Sequence, residues 1–209
     1  MEDLLDLYTH PYDARYPVVC FDESPYQLVG EIRQPQPLQP GKPQRYDYQY
    51  KRNGTCNLFV FFEPRSGWRH VEVTDRRTKH DFARCMKLLV DGYYPEAELI
   101  RVVVDNLNTH TPAALYETFP PLEAHRILQR LDFHYTPKHG SWLNMVEIEL
   151  AVLTGQCLAR RLPEKAAVQR EIAAWEQQRN TAKATVRWRF TTEQARMKLQ
   201  RLYPSQSLR

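Results

Sequence analysis

A cluster of β-branched residues near the middle of the chain constrains the fold more than any other feature. Ile100, Val102, Val103 and Val104 lie within five positions, and Asp105 follows them directly. A run of this kind, bounded by polar residues, is typical of a strand that is buried on both faces. Open α/β sheets bind their ligands beyond the carboxyl ends of such strands. The pattern therefore predicts a central strand that delivers Asp105 to a functional edge.

Two further stretches carry acids in comparable positions. Residues 18–22 form a second apolar run that ends on Asp22, and Glu147 and Glu149 lie at the start of a predicted helix. Residues two apart on a helix point about 200° apart, so only one glutamate can face the site, and the spacing does not choose between them. Each acid taken singly is also consistent with a turn or helix cap. Together they predict a metal site for phosphate chemistry.

Carboxylates that converge from separate elements suit magnesium chemistry at phosphorus. Magnesium prefers hard oxygen ligands and usually takes one or two carboxylates together with substrate phosphate. Two such ions, about 3.5–4 Å apart, stabilise both the attacking and the leaving oxygen of an in-line displacement. Asn106, Asn108 and His110 follow the central acid in the sequence. They either build the turn and cap the next helix or brace the metal ligands.

The order of the remaining patterns predicts an α/β fold with a mixed sheet flanked by helices. Neighbouring early strands favour antiparallel pairing, and a helix between two later strands favours a parallel crossover. Thr78 is a plausible N-cap for the first long helix. The predicted strands span residues 18–23, 26–32, 54–62, 68–73, 100–104 and 133–136, and the predicted helices begin near residues 79, 111, 122, 143, 164 and 192.

Composition excludes several classes of protein. The four cysteines are far apart and form no C-x-x-C pair, which argues against a zinc site or a disulfide framework and favours a reducing cytosolic compartment. No apolar stretch approaches the ~20 residues of a membrane helix. The start, MEDLLDLY, lacks the basic and apolar regions of a signal peptide. No Gly-rich phosphate loop and no G-x-S-x-G nucleophile motif is present.

Positive charge is concentrated at the C-terminal end of the chain. The formal net charge is only +4, but residues 179–209 carry eight basic residues against one acid, Glu193. This region is either a solvated helical face or a nucleic-acid-binding surface. His139 lies beside Lys138 in a predicted turn near the acids, where a phosphate contact is plausible.

Three motifs in a fixed order resemble a known family. VVCFDES, VVVDNLNTHTP and HYTPKHGSWLNMVEIEL are similar to the catalytic domain of DDE transposases, and more closely to the bacterial insertion-sequence branch of the mariner superfamily. The resemblance extends over nearly the whole chain, from about residue 16 to residue 204. It implies a ribonuclease-H-like fold. It also implies that Asp22, Asp105 and Glu147 are the catalytic acids and hold two Mg²⁺ or Mn²⁺ ions.

The resemblance also implies an organisation of the chain. Residues 1–16 are expected to be a linker with a short helix, and residues 17–160 the ribonuclease-H-like DDE catalytic domain. Residues 161–209 are expected to form a basic helical part of the same domain. Members of the family carry N-terminal helix-turn-helix modules, so a separate N-terminal half is a possible partner of this chain.

The implied activity is metal-dependent cleavage of DNA and transfer of the cut strand during transposition. The implied partners are double-stranded DNA, as transposon ends and target, and further copies of the chain, with no membrane. Phosphate contacts are expected from Lys138, His139, Arg187 and Arg189, and the expected location is cytoplasmic, at the bacterial nucleoid. Two rival hypotheses are a DNA-binding transposase remnant that does not cut, and a ribonuclease-H-like nuclease with another substrate.

Overall fold

A five-stranded mixed sheet forms the middle of the molecule. The structure, a computed structural model, describes residues 1–33, 36–43, 45 and 47–203. The strands are β1 (Val18–Glu31), β2 (Tyr50–Glu63), β3 (Trp68–Thr74), β4 (Ile100–Val104) and β5 (Leu131–Tyr135). Their order across the sheet is β3-β2-β1-β4-β5. Strand β2 pairs antiparallel with both β1 and β3, whereas β4 pairs parallel with both β1 and β5.

Helices cover both faces of this sheet, as the sequence predicts. The helices are α1 (Glu2–Leu7), α2 (Lys79–Leu88), α3 (Ala113–Thr118), α4 (Pro121–Leu128), α5 (Val146–Leu153), α6 (Lys165–Thr181) and α7 (Thr192–Lys198). One hydrophobic cluster joins α2, α3 and α4 to one face of the sheet, and a second joins α1, α5, α6 and α7 to the other. None of the helices within the described ranges is long and apolar enough to cross a membrane.

Strand β4 is buried on both faces, which confirms the interpretation of its β-branched run. Ile100, Val102 and Val104 pack in the cluster under α2, α3 and α4, whereas Val103 packs in the opposite cluster. All four side chains are fully buried. The predicted cap of α2 is also confirmed, because the Thr78 side chain accepts from the backbone N–H of Asp81 in a capping box.

The prediction of two separate strands at residues 18–23 and 26–32 is wrong, because β1 runs unbroken over Val18–Glu31. Pro25 lies inside this strand, opposite Asn57 of β2. Among the described residues, β1 beyond Cys20 pairs only with β2, so no described strand lies along its other edge. Proline is tolerated at such an edge, because its missing N–H removes no bond from a second ladder.

The N-terminal residues belong to the core, although the sequence suggests a linker there. Leu4 and Leu5 of α1 are fully buried in the cluster that also contains α5 and α6. The predicted short helix is present, and Asp6 accepts a hydrogen bond from the Thr192 hydroxyl of α7 at 2.7 Å. The division of the chain into domains stays a prediction, and residues 204–209 of the predicted C-terminal part lie outside the described residues.

Candidate active site

Asp22 and Asp105 are brought side by side by the parallel pairing of β1 and β4. In the ladder between β1 and β4, Val19 is aligned with Val102 and Cys20 with Val103. The same register continued by two residues places Asp22 beside Asp105, just beyond the end of β4. Strand β4 stops at Val104 while β1 continues to Glu31. The two carboxyl groups therefore lie where β4 no longer runs beside β1. This is the position at which open α/β sheets place ligands.

Asn144 fixes the start of α5 to the same strand. Its side-chain amide donates to the backbone carbonyl of Phe21 at 2.9 Å, and its carbonyl oxygen accepts from the backbone N–H of Val146 at 3.4 Å. Asn144 is only 1% exposed, so water does not compete for these bonds. The first turn of α5, which carries Glu147, is therefore tied to the residue that precedes Asp22.

The two glutamates of α5, between which helix geometry did not choose, have different surroundings. Glu147 is half-buried, and its charge acts on Asp22. Glu149 is fully buried and lies 2.7 Å from the guanidinium groups of both Arg69 and Arg179. The positive partners of Glu149 give it a structural role, which leaves Glu147 as the glutamate available to the site.

Burial, and to a smaller extent neighbouring negative charges, perturb Asp22. Its pKa is raised from 3.8 to about 7, first because the carboxyl group is buried. Like charges on Asp105, Glu147 and Glu23 act in the same direction. A hydrogen bond of 2.8 Å from the backbone N–H of Glu23 to Asp22 Oδ1 opposes the rise. The charges of Asp105, Glu147 and Glu23 therefore all act at Asp22, at the edge of β1.

His110 is buried between two of these acids. Its Nδ1 lies 2.5 Å from Asp105 Oδ1 in hydrogen-bond geometry. Its Nε2 lies 2.8 Å from Glu23 Oε2, as an ion pair without hydrogen-bond geometry. Burial alone would lower the pKa of His110, but the contacts with Asp105 and Glu23 outweigh burial and raise the pKa to about 9. The rings of Phe21 and Phe82 pack on the imidazole at centroid distances of 5.6 and 4.8 Å.

Glu23 is a residue that the sequence analysis missed. Its side chain is 4% exposed, and its only close charged contact in the described part of the chain is His110. Alternation along β1 places it on the same face as Phe21, opposite to Asp22. The sequence does show an acid one position after Asp22, which in a strand points to the opposite face. It does not show the histidine partner of that acid, which lies 87 positions away (110 − 23).

The two asparagines predicted to brace the metal ligands lie outside the network formed by Asp105, His110 and Glu23. Asn106 and Asn108 are exposed, and no hydrogen bond within the described ranges involves either side chain. Asn108 lines an open cleft of about 270 Å³ next to Glu23, together with Arg77 and Leu107. Arg77 is a second residue that the sequence analysis did not single out.

The residues predicted to contact DNA lie on two surface segments. One segment is the turn between β5 and α5, where His139 has a left-handed backbone with a φ of 63°. The other is the extended chain between α6 and α7. The two segments meet where the rings of Trp142 and Trp188 stack. All four predicted contact residues are exposed: Lys138, His139, Arg187 and Arg189.

The acids of the site fit a divalent cation by their chemistry. In the part of the chain that the structure describes, no group of three or more acidic, histidine or cysteine side chains is arranged to hold a metal ion. Magnesium does not need such a group, because it keeps several waters and takes substrate oxygens as ligands. Carboxylates are the donors that magnesium and manganese prefer. A positive charge at this place would offset the neighbouring negative charges that add to burial in raising the pKa of Asp22.

The raised pKa of Asp22 predicts a stability change in the metal-free protein. Folded Asp22 keeps its proton to about pH 7, whereas an unfolded aspartate loses it near 3.8, so stability is lost as pH rises between these values. We expect Asp22→Asn to raise the Tm at pH 8 by at least about 2 °C, the shift that 1 kcal/mol gives in a domain of this size. The gain should shrink as pH falls toward 4.

Calorimetry in EDTA across this pH range measures the effect. The control is Asp132→Asn, because Asp132 has a half-exposed side chain beside His134 on β5. If Asp22→Asn were less stable than the wild type at pH 8, the prediction that folding raises the pKa of Asp22 would be wrong.

Comparisons with known proteins agree with this architecture. Residues 17–169 match the family model described as DDE superfamily endonuclease. The crystal structure of the mariner Mos1 paired end complex with Mg is similar, with a TM-score of 0.54 and 19% identity over 90% of this chain and 57% of that chain. A pre-cleavage Mos1 transpososome has a TM-score of 0.51 and 16% identity over 88% of this chain and 59% of that one.

The structural likeness confirms the predicted ribonuclease-H-like α/β fold. The chain spans a little under three fifths of the length of these solved proteins, 57% and 59%. No curated protein matches the sequence.

Proposed function

This chain belongs to the DDE superfamily endonucleases, and from that premise we propose that it is the catalytic domain of a transposase of the mariner superfamily. The proposed reaction is cleavage of double-stranded DNA at a transposon end and transfer of the cut strand to a target. One observation carries the proposal. The register of β1 and β4 runs Asp22 toward Asp105, and the charge of Glu147, in the first turn of α5, acts on Asp22, which supports a common role for the three acids.

The three acids would hold one or two Mg²⁺ or Mn²⁺ ions. When bound, such ions supply stabilisation of the attacking and the leaving oxygen at phosphorus. The remaining residues hold the acids in place. His110 fixes the orientation of Asp105 through the 2.5 Å contact, and Glu23 fixes His110 from the other side. Asn144 fixes the start of α5, and with it Glu147, against β1.

We propose that the two basic surface segments position the DNA. Phosphate contacts set the register of a duplex without reading its sequence. Lys138, His139, Arg187 and Arg189 are exposed, and Arg77 lines the cleft next to Glu23. Binding through such contacts should weaken steeply with salt concentration, because each neutralised phosphate releases counterions.

The wider assembly follows from the same proposal. The Mos1 structures are paired-end and transpososome complexes of another protein, and they motivate self-association of this chain on paired DNA ends. Recognition of specific ends would come from a helix-turn-helix module, on a separate chain or in an adjoining segment. The proposed location is the cytoplasm, at the nucleoid.

The test is nicking of supercoiled plasmid by the purified chain in Mg²⁺ or Mn²⁺, with Asp105→Asn as the control. We expect nicking that stops in EDTA and is absent in the Asp105 variant. If folded wild-type protein binds DNA but does not nick it in either metal, the non-cutting remnant is the better description. Nicking of RNA–DNA hybrids in preference to duplex DNA would favour a nuclease with another substrate.

The contact between Glu23 and His110 predicts an effect on metal affinity. We expect Glu23→Ala to weaken Mn²⁺ binding by about 10–100-fold, because residues that orient metal ligands have effects of this size. Glu23→Gln, which keeps the side-chain length, should lose less. Isothermal titration calorimetry with Mn²⁺ measures the affinity.

A matched control for Glu23 is Glu72→Ala. Glu72 also contacts a histidine, His70, at 3.5 Å, but on β3. Its loss should leave Mn²⁺ affinity unchanged. Equal losses of affinity in the Glu23 and Glu72 variants would show that the effect is not specific to the site.

A further inference from the structure

A half-exposed tryptophan lies at the meeting point of the two basic segments. Trp142, in the turn before α5, is 44% exposed. Its ring packs on Trp188 at a centroid distance of 6.3 Å and an interplanar angle of 17°, and on the edge of Phe190 at 5.8 Å. Trp188 is itself held by the ring of Tyr8 at 5.2 Å and by donation of its indole N–H to the carbonyl of Phe190 at 2.7 Å. The half-exposed indole of Trp142 is therefore held in place by the aromatic rings that pack against it.

Exposed basic residues lie on the two segments that meet at this indole. Side chains alternate along residues 184–190, so that Trp188 and Phe190 point inward while Arg187 and Arg189 point to solvent. Among the residues that the structure describes, neither arginine nor Lys138 makes an ion pair. Other arginines of the molecule do have carboxylate partners: Arg126, Arg161, Arg179 and Arg196. These cations are therefore available to an anionic ligand.

The indole also lies close to the candidate active site. Trp142 precedes Asn144 by two residues, and Asn144 binds the backbone of Phe21, next to Asp22. The carbonyl of Leu143, between them, accepts a 2.7 Å hydrogen bond from Tyr8. The turn that carries Trp142 is thus fixed to the strand that carries the first acid.

We propose that Trp142 is a stacking platform for an unpaired nucleobase of the DNA strand that is cut or joined. An aromatic face beside cations that follow a phosphate backbone is the pattern of single-strand binding, in which bases stack on the ring. Bases inside a duplex already stack on the bases above and below them, so they have no free face to stack on a protein ring. The proposal rests on the proposed function and adds to it that the DNA is locally unpaired at the site.

The test compares two fluorescent probes by anisotropy in EDTA, so that neither is cut. One probe is a blunt duplex, and the other is the same duplex with an unpaired thymidine overhang. We expect Trp142→Ala to lower affinity for the overhang probe by roughly tenfold, the scale of one base stacked on an aromatic side chain, and to leave affinity for the blunt probe unchanged. Trp142→Phe should keep most of the affinity for the overhang.

A matched control is Tyr116→Ala. Tyr116 is 47% exposed, but it lies on α3, which packs on the opposite face of the sheet. Its replacement should change neither affinity. The phenylalanine variant guards against misfolding, because it keeps an aromatic ring against Trp188.

Three outcomes would overturn the proposal. The first is an equal loss for both probes in Trp142→Ala, and the second is no loss for the overhang probe. The third is a shift of the sedimentation coefficient in Trp142→Ala with DNA affinity intact, which would make the patch a contact between copies of the chain. Binding in EDTA does not require cutting, so a protein that fails the nicking test can still pass this one.

Discussion

Glu147→Gln is expected to abolish metal-dependent nicking of plasmid DNA while leaving the fold intact. The side chain is half-buried and makes no hydrogen bond within the described residues, so the fold loses no contact with it. Its charge instead adds to the crowding around Asp22. Removing one ligand of a metal site that supplies several kcal/mol of transition-state stabilisation should cost at least about a hundredfold in rate.

Initial nicking rates in Mn²⁺, together with the Tm in EDTA, measure the two parts of this prediction. We expect the Tm of the Glu147 variant to equal or exceed that of the wild type, because a like charge is removed. Anisotropy with the blunt duplex should show unchanged DNA affinity in the absence of metal. A variant that still nicks at the wild-type rate would exclude Glu147 as the third acid.

Much of the site could be predicted because its signals are local. The β-branched run of β4 and the acid after it are adjacent in sequence, and burial of a parallel strand explains both. Helix geometry showed that Glu147 and Glu149 could not both face the site, and resemblance to a family favoured Glu147. The ion pairs of Glu149 with Arg69 and Arg179 support the proposal of Glu147.

The residues that orient the acids could not be predicted from the sequence, because their partners are distant along the chain. Asn144 binds Phe21 across 123 positions, and Tyr8 binds Leu143 across 135. No periodicity or motif encodes such pairs, since they exist only once the sheet and helices have packed. For the same reason the sequence did not predict that the leucines of α1 are buried, because they pack on elements far along the chain.

Glu149→Ala is expected to destabilise the protein by about 3–5 kcal/mol, the range found when one partner of a buried ion pair is removed. The side chains of Glu149 and Arg69 are both 0% exposed, and Arg179 is 19% exposed. Arg69 also donates to Asn180 Oδ1 and to the carbonyl of Ala184. Those contacts hold the guanidinium in place, so Arg69 cannot move to water when Glu149 is lost.

The ion pairs of Glu149 connect three elements, so their loss should destabilise the whole fold. Arg69 lies on β3, Glu149 on α5 and Arg179 on α6. Burial lowers the pKa of Arg69, and the charge of Glu149 opposes that fall. Without Glu149, two cations would face each other in a poorly solvated space. The expected loss is a large share of the ~5–15 kcal/mol by which domains are stable.

Urea unfolding of the wild type and Glu149→Ala measures the loss, with Glu164→Ala as the control. Glu164 contacts Arg170 in an exposed pair at 3.8 Å, so its removal should cost less than about 1 kcal/mol. The double variant Arg69→Met/Glu149→Leu should be more stable than Glu149→Leu alone, because the buried cation is removed together with its partner. At temperatures where Glu149→Ala stays folded it should still nick DNA, in contrast to Glu147→Gln. A stable Glu149 variant that no longer nicks would instead make Glu149 the third acid.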